Sequence, residues 1–438
     1  MSDYSTIALE DLCVLRNGAG IKQGEFGSDG AKIIRVSDFT DYGIDTSSSI
    51  RINAACEGRW SEHYLSKGIV LVATVGSWGT SATSAVGKVV VVPKEADGCL
   101  QNQNTCALIA KRDKADQRYI FYALNTSQFR EYVSCTAAGS ANQARLSVKN
   151  LGKFETRNRP FHEQQAIAHI LGTLDDKIEL NRKTSETLEG IAKALFKSWF
   201  LDFDPVRAKA EGRPTGLPDE ISELLPASFD ESELGEIPSK WSLMPLDKIA
   251  NYLNGLALQK FPPKGDHTDL PVIKIAQLRK GDTVDSGKCS NELGVQYVIK
   301  DGDILFSWSG SLLVDVWVGG TGALNQHLFK VTSQDFEKWF YYWWTKHYLE
   351  EFQAIAQSKA TTMGHIQRKH LSEALVVVPP EKILEWMNEI FSPILNQQIQ
   401  GRLESRTLTS LRDALLPRLI SGELRVPDAE KMLEEVGV

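Results

Sequence analysis

Two short segments of the chain combine cationic side chains with hydroxyl and amide groups. Residues 140–159 contain five Lys or Arg residues against one acidic residue, and residues 359–370 contain three and no acidic residue. Cations favour contacts to phosphate, whereas hydroxyl and amide groups favour contacts to base edges. One such cluster is usually a solvated loop, but two clusters at matching positions predict DNA binding.

Other polar loops also recur. Residues 77–80 (Ser-Trp-Gly-Thr) resemble residues 307–310 (Ser-Trp-Ser-Gly). The polar loop 101–104, which contains Asn102-Gln103, recurs as residues 325–327, which contain Asn325-Gln326. Asn and Gln can bind adenine through two hydrogen bonds. Two structural alternatives stay open, namely that the tryptophans anchor strand ends and that the Asn-Gln pairs hold turns.

The candidate DNA-binding residues come from these segments and from four cations in or near repeated motifs. They are Lys22, Arg35, Ser77, Trp78, Thr80, Asn102, Gln103, Asn142, Gln143, Arg145, Lys149, Lys260, Lys274, Trp308, Ser309, Asn325, Gln326, Lys359, Thr361, Thr362, His365, Arg368 and Lys369.

Motifs of catalysis are missing from the sequence. It has no phosphate-binding G-x-x-x-x-G-K-[ST] loop and no H-E-x-x-H metal motif, and neither Pro-Pro pair has the flanking residues expected of an amino-methyltransferase. We therefore predict no catalytic residues, no bound metal and no cofactor on this chain. An enzyme with an unrecognised active site stays an alternative.

A faint internal repeat positions these residues. Asn17-Gly18 recurs as Asn254-Gly255, the glycine-led segment 68–72 recurs as 302–306, and Lys149 recurs as Lys369. The matches keep the same order, and their offset falls from 237 to 220, as insertions and deletions in loops would produce.

Each repeat reads as a mixed block followed by a long helix. In the first block, short β-branched runs predict strands at 32–36, 69–74, 86–92 and 106–110, and residues 118–125 predict a helix. This pattern indicates an α+β fold with two similar globular domains. The run Tyr341-Tyr342-Trp343-Trp344 suggests base stacking, but its helical context favours the core.

Two long amphipathic helices follow the blocks. The first has apolar residues from Ile167 to Trp199 at steps of three and four, which is the spacing of coiled coils. The second runs from Ile383 to Leu415 through Ile390 and Ile394, with a kink or a new helix expected at Pro393. Burial of each stripe against its own domain is possible, but the repetition favours antiparallel pairing of the two helices.

The net charge of −7 lies outside the two blocks. Residues 1–160 carry 19 Lys and Arg against 16 Asp and Glu, residues 241–380 carry 14 against 14, and residues 161–240 carry 9 against 16. Local charge governs encounter with DNA, so the acidic total does not exclude it. The sequence has no membrane-spanning run, no secretion signal and no paired cysteines, which predicts a cytoplasmic protein with six free thiols.

Two runs resemble a known family. Phe161-His162-Glu163-Gln164-Gln165-Ala166-Ile167-Ala168, continued through residues 174–179, is similar to the central conserved helix of specificity subunits of Type I restriction–modification enzymes. Leu415-Leu416-Pro417-Arg418-Leu419-Ile420-Ser421-Gly422-Glu423-Leu424 resembles the distal conserved helix. The second helix departs from the pattern, because it opens Pro380-Glu381-Lys382-Ile383.

The resemblance implies a non-catalytic DNA reader. Each globular block would be a target recognition domain for one half of an asymmetric bipartite sequence, and the paired helices would set the spacer between the halves. Two modification subunits would supply S-adenosylmethionine and methyl transfer, and restriction subunits would supply ATP- and Mg-dependent translocation and cleavage. A scaffold that holds two proteins without DNA is the other alternative.

The domain boundaries follow from the repeat and the resemblance. We predict a first target recognition domain at 1–160, a first long helix at 161–203, an acidic Pro/Gly-rich linker at 204–240, a second recognition domain at 241–380, a second long helix at 381–425 and a C-terminal tail at 426–438.

Overall fold

A computed structural model describes residues 5–40, 43–78, 86–140, 143–358 and 364–436. The chain forms two compact units. The first unit comprises residues 1–177 and 408–438, and the second comprises residues 178–407. Each long helix therefore contributes residues to both units.

The central sheet has the same topology in both units. In the first, the strand order is Cys13–Asn17, Thr105–Ala110, Val70–Ala73, Val89–Val91, and all neighbours are antiparallel. In the second, it is Asn251–Asn254, Leu328–Thr332, Ile304–Ser307, Leu313–Val316, again all antiparallel. In both units the first strand in sequence pairs with the last, which confirms the predicted repeat at the level of topology.

A second sheet also recurs. In the first unit, Phe26–Ile34 pairs in parallel with Leu100–Gln101 and antiparallel with Arg51–Ile52. In the second unit, Leu270–Ile273 pairs in parallel with Gly322–Leu324, which also pairs with Val298–Ile299, while Lys288–Cys289 lies on the other side.

The remaining strands form small sheets. They are Thr6–Ala8 with Glu155–Arg157, Phe39–Thr40 with Gly43–Ile44, Gln143–Arg145 between Ala138–Ser140 and Val75–Gly76, Phe229–Ser232 with Gly235–Pro238, and Ser242–Pro245 with Leu375–Val378.

Short α-helices pack around the sheets. They are Leu9–Leu12, Ala54–Glu57, Gln117–Leu124, Ser127–Thr136, Val148–Gly152, Asp204–Ala210, Asp219–Leu224, Leu246–Ile249, Ile275–Lys280, Lys338–His347, Leu349–Ser358, Arg368–Glu373 and Val426–Val436.

The first long helix extends over Phe161–Phe196 and continues into a π-helical turn at Lys197–Leu201. The second extends over Glu381–Ser421 without a new start at Pro393, so of the two alternatives, a kink or a new helix, the new helix is wrong. Its fully buried stripe passes through Phe391 and Leu395 rather than the predicted Ile390 and Ile394, which are half-buried.

The two long helices pair antiparallel, as predicted. In the first unit, Arg412 donates to the carboxylate of Asp175 at 2.8 Å. In the second unit, Asn181 donates to Glu404 at 2.8 Å, and Gln398 donates to the carbonyl of Ser185 at 3.2 Å. The polar middles of the two apolar stripes therefore face each other, and such polar pairs fix the register of helices at some cost in stability.

The second unit has an extensive core that is rich in aromatic residues. Helix Lys338–His347 buries Tyr341, Tyr342, Trp343 and Trp344, so this run packs inside the unit as its helical context predicts. Trp199 of the first long helix stacks on Trp386 of the second at a ring distance of 5.0 Å.

The predicted linker at 204–240 is folded onto the second unit. It contains two helices and a hairpin, and its residues Leu225 and Ile237 are buried in the aromatic core, as is Phe203 just before it. Among the described residues, no helix is both long and apolar enough to cross a membrane. All six cysteines are free, and burial raises the pKa of the Cys13 and Cys106 thiols to about 12.

Candidate nucleic-acid interface

The repeated Asn-Gly and Asn-Gln motifs meet each other in both units. Gly18 donates its N–H to the carbonyl of Thr105, and a Cβ atom on Gly18 would lie 1.9 Å from the carbonyl oxygen of Asn102. In the second unit, Gly255 donates to Leu328, and its Cβ would lie 2.2 Å from the carbonyl oxygen of Asn325. Only glycine permits this approach, which explains why the motif recurs.

This close approach has a measurable consequence. Replacing Gly18 with alanine is expected to lower the free energy of unfolding by about 3 kcal/mol, because backbone must shift to admit the methyl group. Gly20, two residues away, has open space around its Cβ position. Gly20→Ala should therefore change stability by less than about 1 kcal/mol. Thermal or denaturant unfolding checks both; equal melting of the two variants would contradict the packing described.

The Asn-Gln pairs hold turns. Asn102 and Asn325 are 8% and 3% exposed, and each accepts a backbone N–H two residues later through its side-chain oxygen, at 3.1 and 3.3 Å. Each also donates to the following Gln. The two glutamines are more accessible than the asparagines, so Gln103 and Gln326 are the members of the pairs that are open to a ligand.

Lys149 and Lys369 occupy equivalent exposed positions. Each lies at the second residue of a short helix, Val148–Gly152 or Arg368–Glu373, and the side chain of Ser147 caps the first helix by accepting from Asn150 N–H at 3.1 Å. The buried side chains of Leu151 and Leu371 fix the two helices to their units. A fixed helix with an exposed cation is suited to phosphate contact.

One cleft lies beside the first of these helices, and a second cleft lies in the second unit. The first, of about 450 Å³, is lined by Gln143, Arg145, Ser147 and Asn150 together with Thr136, Ala138 and Gly139. The second, of about 490 Å³, is lined by Gly310, Ser311 and Gly364 and by Arg279, Leu312, Gln353, Ala356 and Gln357. The sequence prediction missed Arg279 and the two glutamines, because they belong to elements without a repeated motif.

The strand registers correct one predicted match. Thr74 donates its N–H to the carbonyl of Asn104, and Trp308 donates to the carbonyl of His327. Trp308 therefore corresponds to Thr74 and not to Trp78, and the predicted equivalence of the two Ser-Trp loops is wrong. The indole of Trp308 donates to Asn254 at 2.9 Å and packs on Phe329, which supports the alternative that this tryptophan anchors a strand end.

The other predicted cations are spread over each unit. Arg35 and Lys274 occupy the same place, before a short helix at the end of the parallel strand, where Arg35 is half-buried and pairs with Asp38 at 3.2 Å. Arg368 donates to the carbonyl of Tyr252 and lies over the ring of Phe329. Lys22, Lys260, Lys274 and His365 are exposed, and Ser309 is buried against His327.

Five candidates, Thr80, Asn142, Lys359, Thr361 and Thr362, lie outside the described residues. Ser77 and Trp78 are half-buried beside residues 79–85, which also lie outside them. In the part of the chain that is described, no group of three or more His, Cys, Asp or Glu side chains could hold a metal ion.

Comparisons with known proteins find similarity to one family. Residues 1–190 and 238–405 match the sequence profile of the Type I restriction modification DNA specificity domain. The Type I restriction enzyme MjaIX specificity subunit of Methanocaldococcus jannaschii is 28% identical over 330 residues, covering 73% of this chain and 72% of that protein. The Type I restriction enzyme HindI specificity subunit of Haemophilus influenzae is 24% identical over 356 residues, covering 70% and 77%.

A solved structure shares the fold. The crystal structure of a Type-I restriction-modification system S subunit from M. genitalium matches with a TM-score of 0.58 at 15% identity, and the match covers 96% of this chain and 97% of that one. The profile matches twice, once over each repeat, in the same places where the two sheets of equal topology occur.

Proposed function

Because this chain belongs to the Type I restriction–modification DNA specificity family, whose members are targeting subunits rather than enzymes, we propose that it reads a bipartite asymmetric DNA target, one half per globular domain. The observation that carries the proposal is that both domains have one backbone topology but different accessible polar side chains. Equal frames with unequal side chains suit two half-sites of different sequence.

The long helices would set the spacer between the half-sites. Their antiparallel pairing and the polar contacts that fix its register support this role. The helices and the folded acidic segment at 204–240 would also recruit two modification subunits, which carry S-adenosylmethionine, and restriction subunits, which use ATP and Mg. This chain would bind none of these cofactors itself.

A domain exchange tests the modular reading. Residues 1–160 would be replaced by the corresponding domain of a related subunit, and methylated adenines would be mapped genome-wide in cells that supply the modification subunits. We expect a new sequence in one half of the target and an unchanged sequence in the other. A change in both halves would refute one-domain-per-half recognition.

The two equivalent lysines should contribute affinity without specificity. Lys149→Gln and Lys369→Gln are each expected to weaken binding to all duplexes by about the same factor and to lower the salt dependence by about one counterion. Lys431→Gln, an exposed lysine on the C-terminal helix, removes the same charge and serves as control. Affinity measured across salt concentrations decides, and unchanged slopes in both variants would remove these residues from the interface.

A further inference from the structure

The two domains carry different accessible side chains at two positions of an equivalent backbone frame. Thr74 donates its N–H to the carbonyl of Asn104 at 2.8 Å, and its own carbonyl accepts the N–H of Leu146 at 2.8 Å. Residues 104 and 145 therefore flank one strand end. In strand Gln143–Arg145, Arg145 is paired with Val75 and is exposed.

The second unit repeats this frame with other side chains. Trp308 donates to the carbonyl of His327, and the carbonyl of Trp308 accepts the N–H of Ile366 at 3.0 Å. His365 forms a β-bridge with Ser309, as Arg145 does with Val75. Asn104 thus corresponds to His327, and Arg145 corresponds to His365.

The backbone at residues 104 and 327 is fully used in the same way. Both N–H groups donate to the side-chain oxygen of the preceding buried asparagine, and both carbonyls accept from the strand end. The backbone is thus held alike at the two positions, whereas the side chains differ. Buried frame positions are instead conserved in character, with Leu146 matching Ile366 and Leu151 matching Leu371.

The histidine of the second frame is held in place. The Nδ1 atom of His327 lies 2.9 Å from the hydroxyl oxygen of Ser309, which is 3% exposed, and the ring lies beside Trp308 at 6.2 Å. The buried hydroxyl fixes the ring through one nitrogen, and His327 itself is partly exposed. A ring held in this way presents its other nitrogen in a defined direction, as a reading group requires.

One residue of each pair lies in or next to a cleft described above. Arg145 lines the first cleft, and Gly364 and Gly310, the neighbours of His365 and Ser309, line the second. An equivalent lysine, Lys149 or Lys369, lies four residues after each position of the strand. Phosphate contact and base contact would therefore come from neighbouring residues of one segment.

From this juxtaposition we propose that Asn104 with Arg145, and His327 with His365, are the specificity-determining pairs of the two domains. The inference rests on the proposed function and assigns its base-reading side chains. Arg binds guanine and Asn binds adenine through paired hydrogen bonds in the major groove, whereas imidazole offers single donors or acceptors. The two half-sites should accordingly differ at the base pairs that these residues face.

The test exchanges the pairs between frames. The full-length chain would be used to select from duplexes with randomised half-sites, and the domain exchange assigns each half to its domain. His327→Asn with His365→Arg should change the preferred base by about tenfold at one or more positions of the second half-site only. Asn104→His with Arg145→His should change the first half-site only.

The outcomes separate this inference from the proposed function. If wild-type chain selects a bipartite sequence but both exchanged variants keep it, the pairs do not read bases, while the proposed function stands. A variant that melts like the wild type but loses the same affinity for every sequence would also overturn the assignment of the pairs, because such a loss indicates phosphate contact alone. Absence of any selected sequence with the wild type overturns both. If a double variant melts early, the single variant Arg145→His, at an exposed position, carries the test.

Discussion

Replacing Arg159 with methionine is expected to lower the free energy of unfolding of the first unit by about 3 kcal/mol. The guanidinium donates to the carbonyls of Leu419 and Ile420 at 2.7 and 3.2 Å and pairs with Glu163 at 2.9 Å. These carbonyls belong to the last turn of the second long helix, and the Arg159 side chain is only 5% exposed. Its removal leaves a carboxylate and two helix-end carbonyls without this partner.

Arg425→Met is the matched control for that prediction. Arg425 is exposed in the turn that follows the same helix, so its replacement should change stability by less than about 0.5 kcal/mol. Denaturant unfolding of the full chain measures the loss, and hydrogen exchange shows whether it falls on residues 1–177 and 408–436. Equal stability of the two variants would mean that Arg159 does not hold the helix end.

The contacts of Gln164 show what one residue of the motif does at the start of the first long helix. Gln164 is 2% exposed, accepts the N–H of Asp116 at 3.1 Å and donates to the carbonyls of Lys114 and Arg159. The glutamine that carries part of the family resemblance thus fixes the start of the helix to its own globular domain. Its position in the sequence indicates a helix, but only the fold shows which loop it holds.

Much of the architecture is predictable because local patterns agree with tertiary burial. The apolar runs at 69–74 and 106–110 become the central strands, and the glycines at 68 and 302 mark equivalent turns with positive φ. The antiparallel helix pair follows from stripe spacing and repetition. In these cases the residues that set local structure are also those that the core buries.

Sequence similarity misleads where two loops share letters but not hydrogen-bond register. The Ser-Trp pairs at 77–78 and 307–308 look alike. The offset of 234 between Gly68 and Gly302, however, makes Trp308 the equivalent of Thr74. Register is set by strand pairing between distant segments, and a single sequence does not display it. The same limitation left Asn104 and His327 out of the candidate residues, although both lie in the recurring polar loops 101–104 and 325–327.

Composition also misleads for residues 204–240. Their Pro, Gly and Glu content is typical of a linker, but a few apolar side chains decide the outcome, because Leu225 and Ile237 are buried in the aromatic core of the second unit. Lys209 adds hydrogen bonds to three carbonyls of the segment, those of Ser222, Glu223 and Leu225. Burial of a few residues is enough to order a segment that is polar on average.

Lengthening both long helices by three heptads should lengthen the spacer of the DNA target by about nine base pairs. Twenty-one residues add about 31 Å of helix, which is close to one turn of duplex. The insertions belong between Asn181 and Ser185 and between Gln398 and Glu404, where polar contacts join the helices. Whole heptads keep the paired faces in register.

The rotation of the two half-sites about the duplex axis gives this prediction a further test. An insertion of about eleven residues in each helix adds about 16 Å, or about half a duplex turn. One half-site would then face away from its domain on unbent DNA. That variant should lose binding to the two half-sites together at every spacer length, while the three-heptad variant regains it at one new length. Insertion into a single helix separates Asn181 from Glu404 and should abolish selection of either spacing. Methylation mapping with a series of spacers reads all three outcomes, and an unchanged spacer in the three-heptad variant would show that the helices are not the ruler.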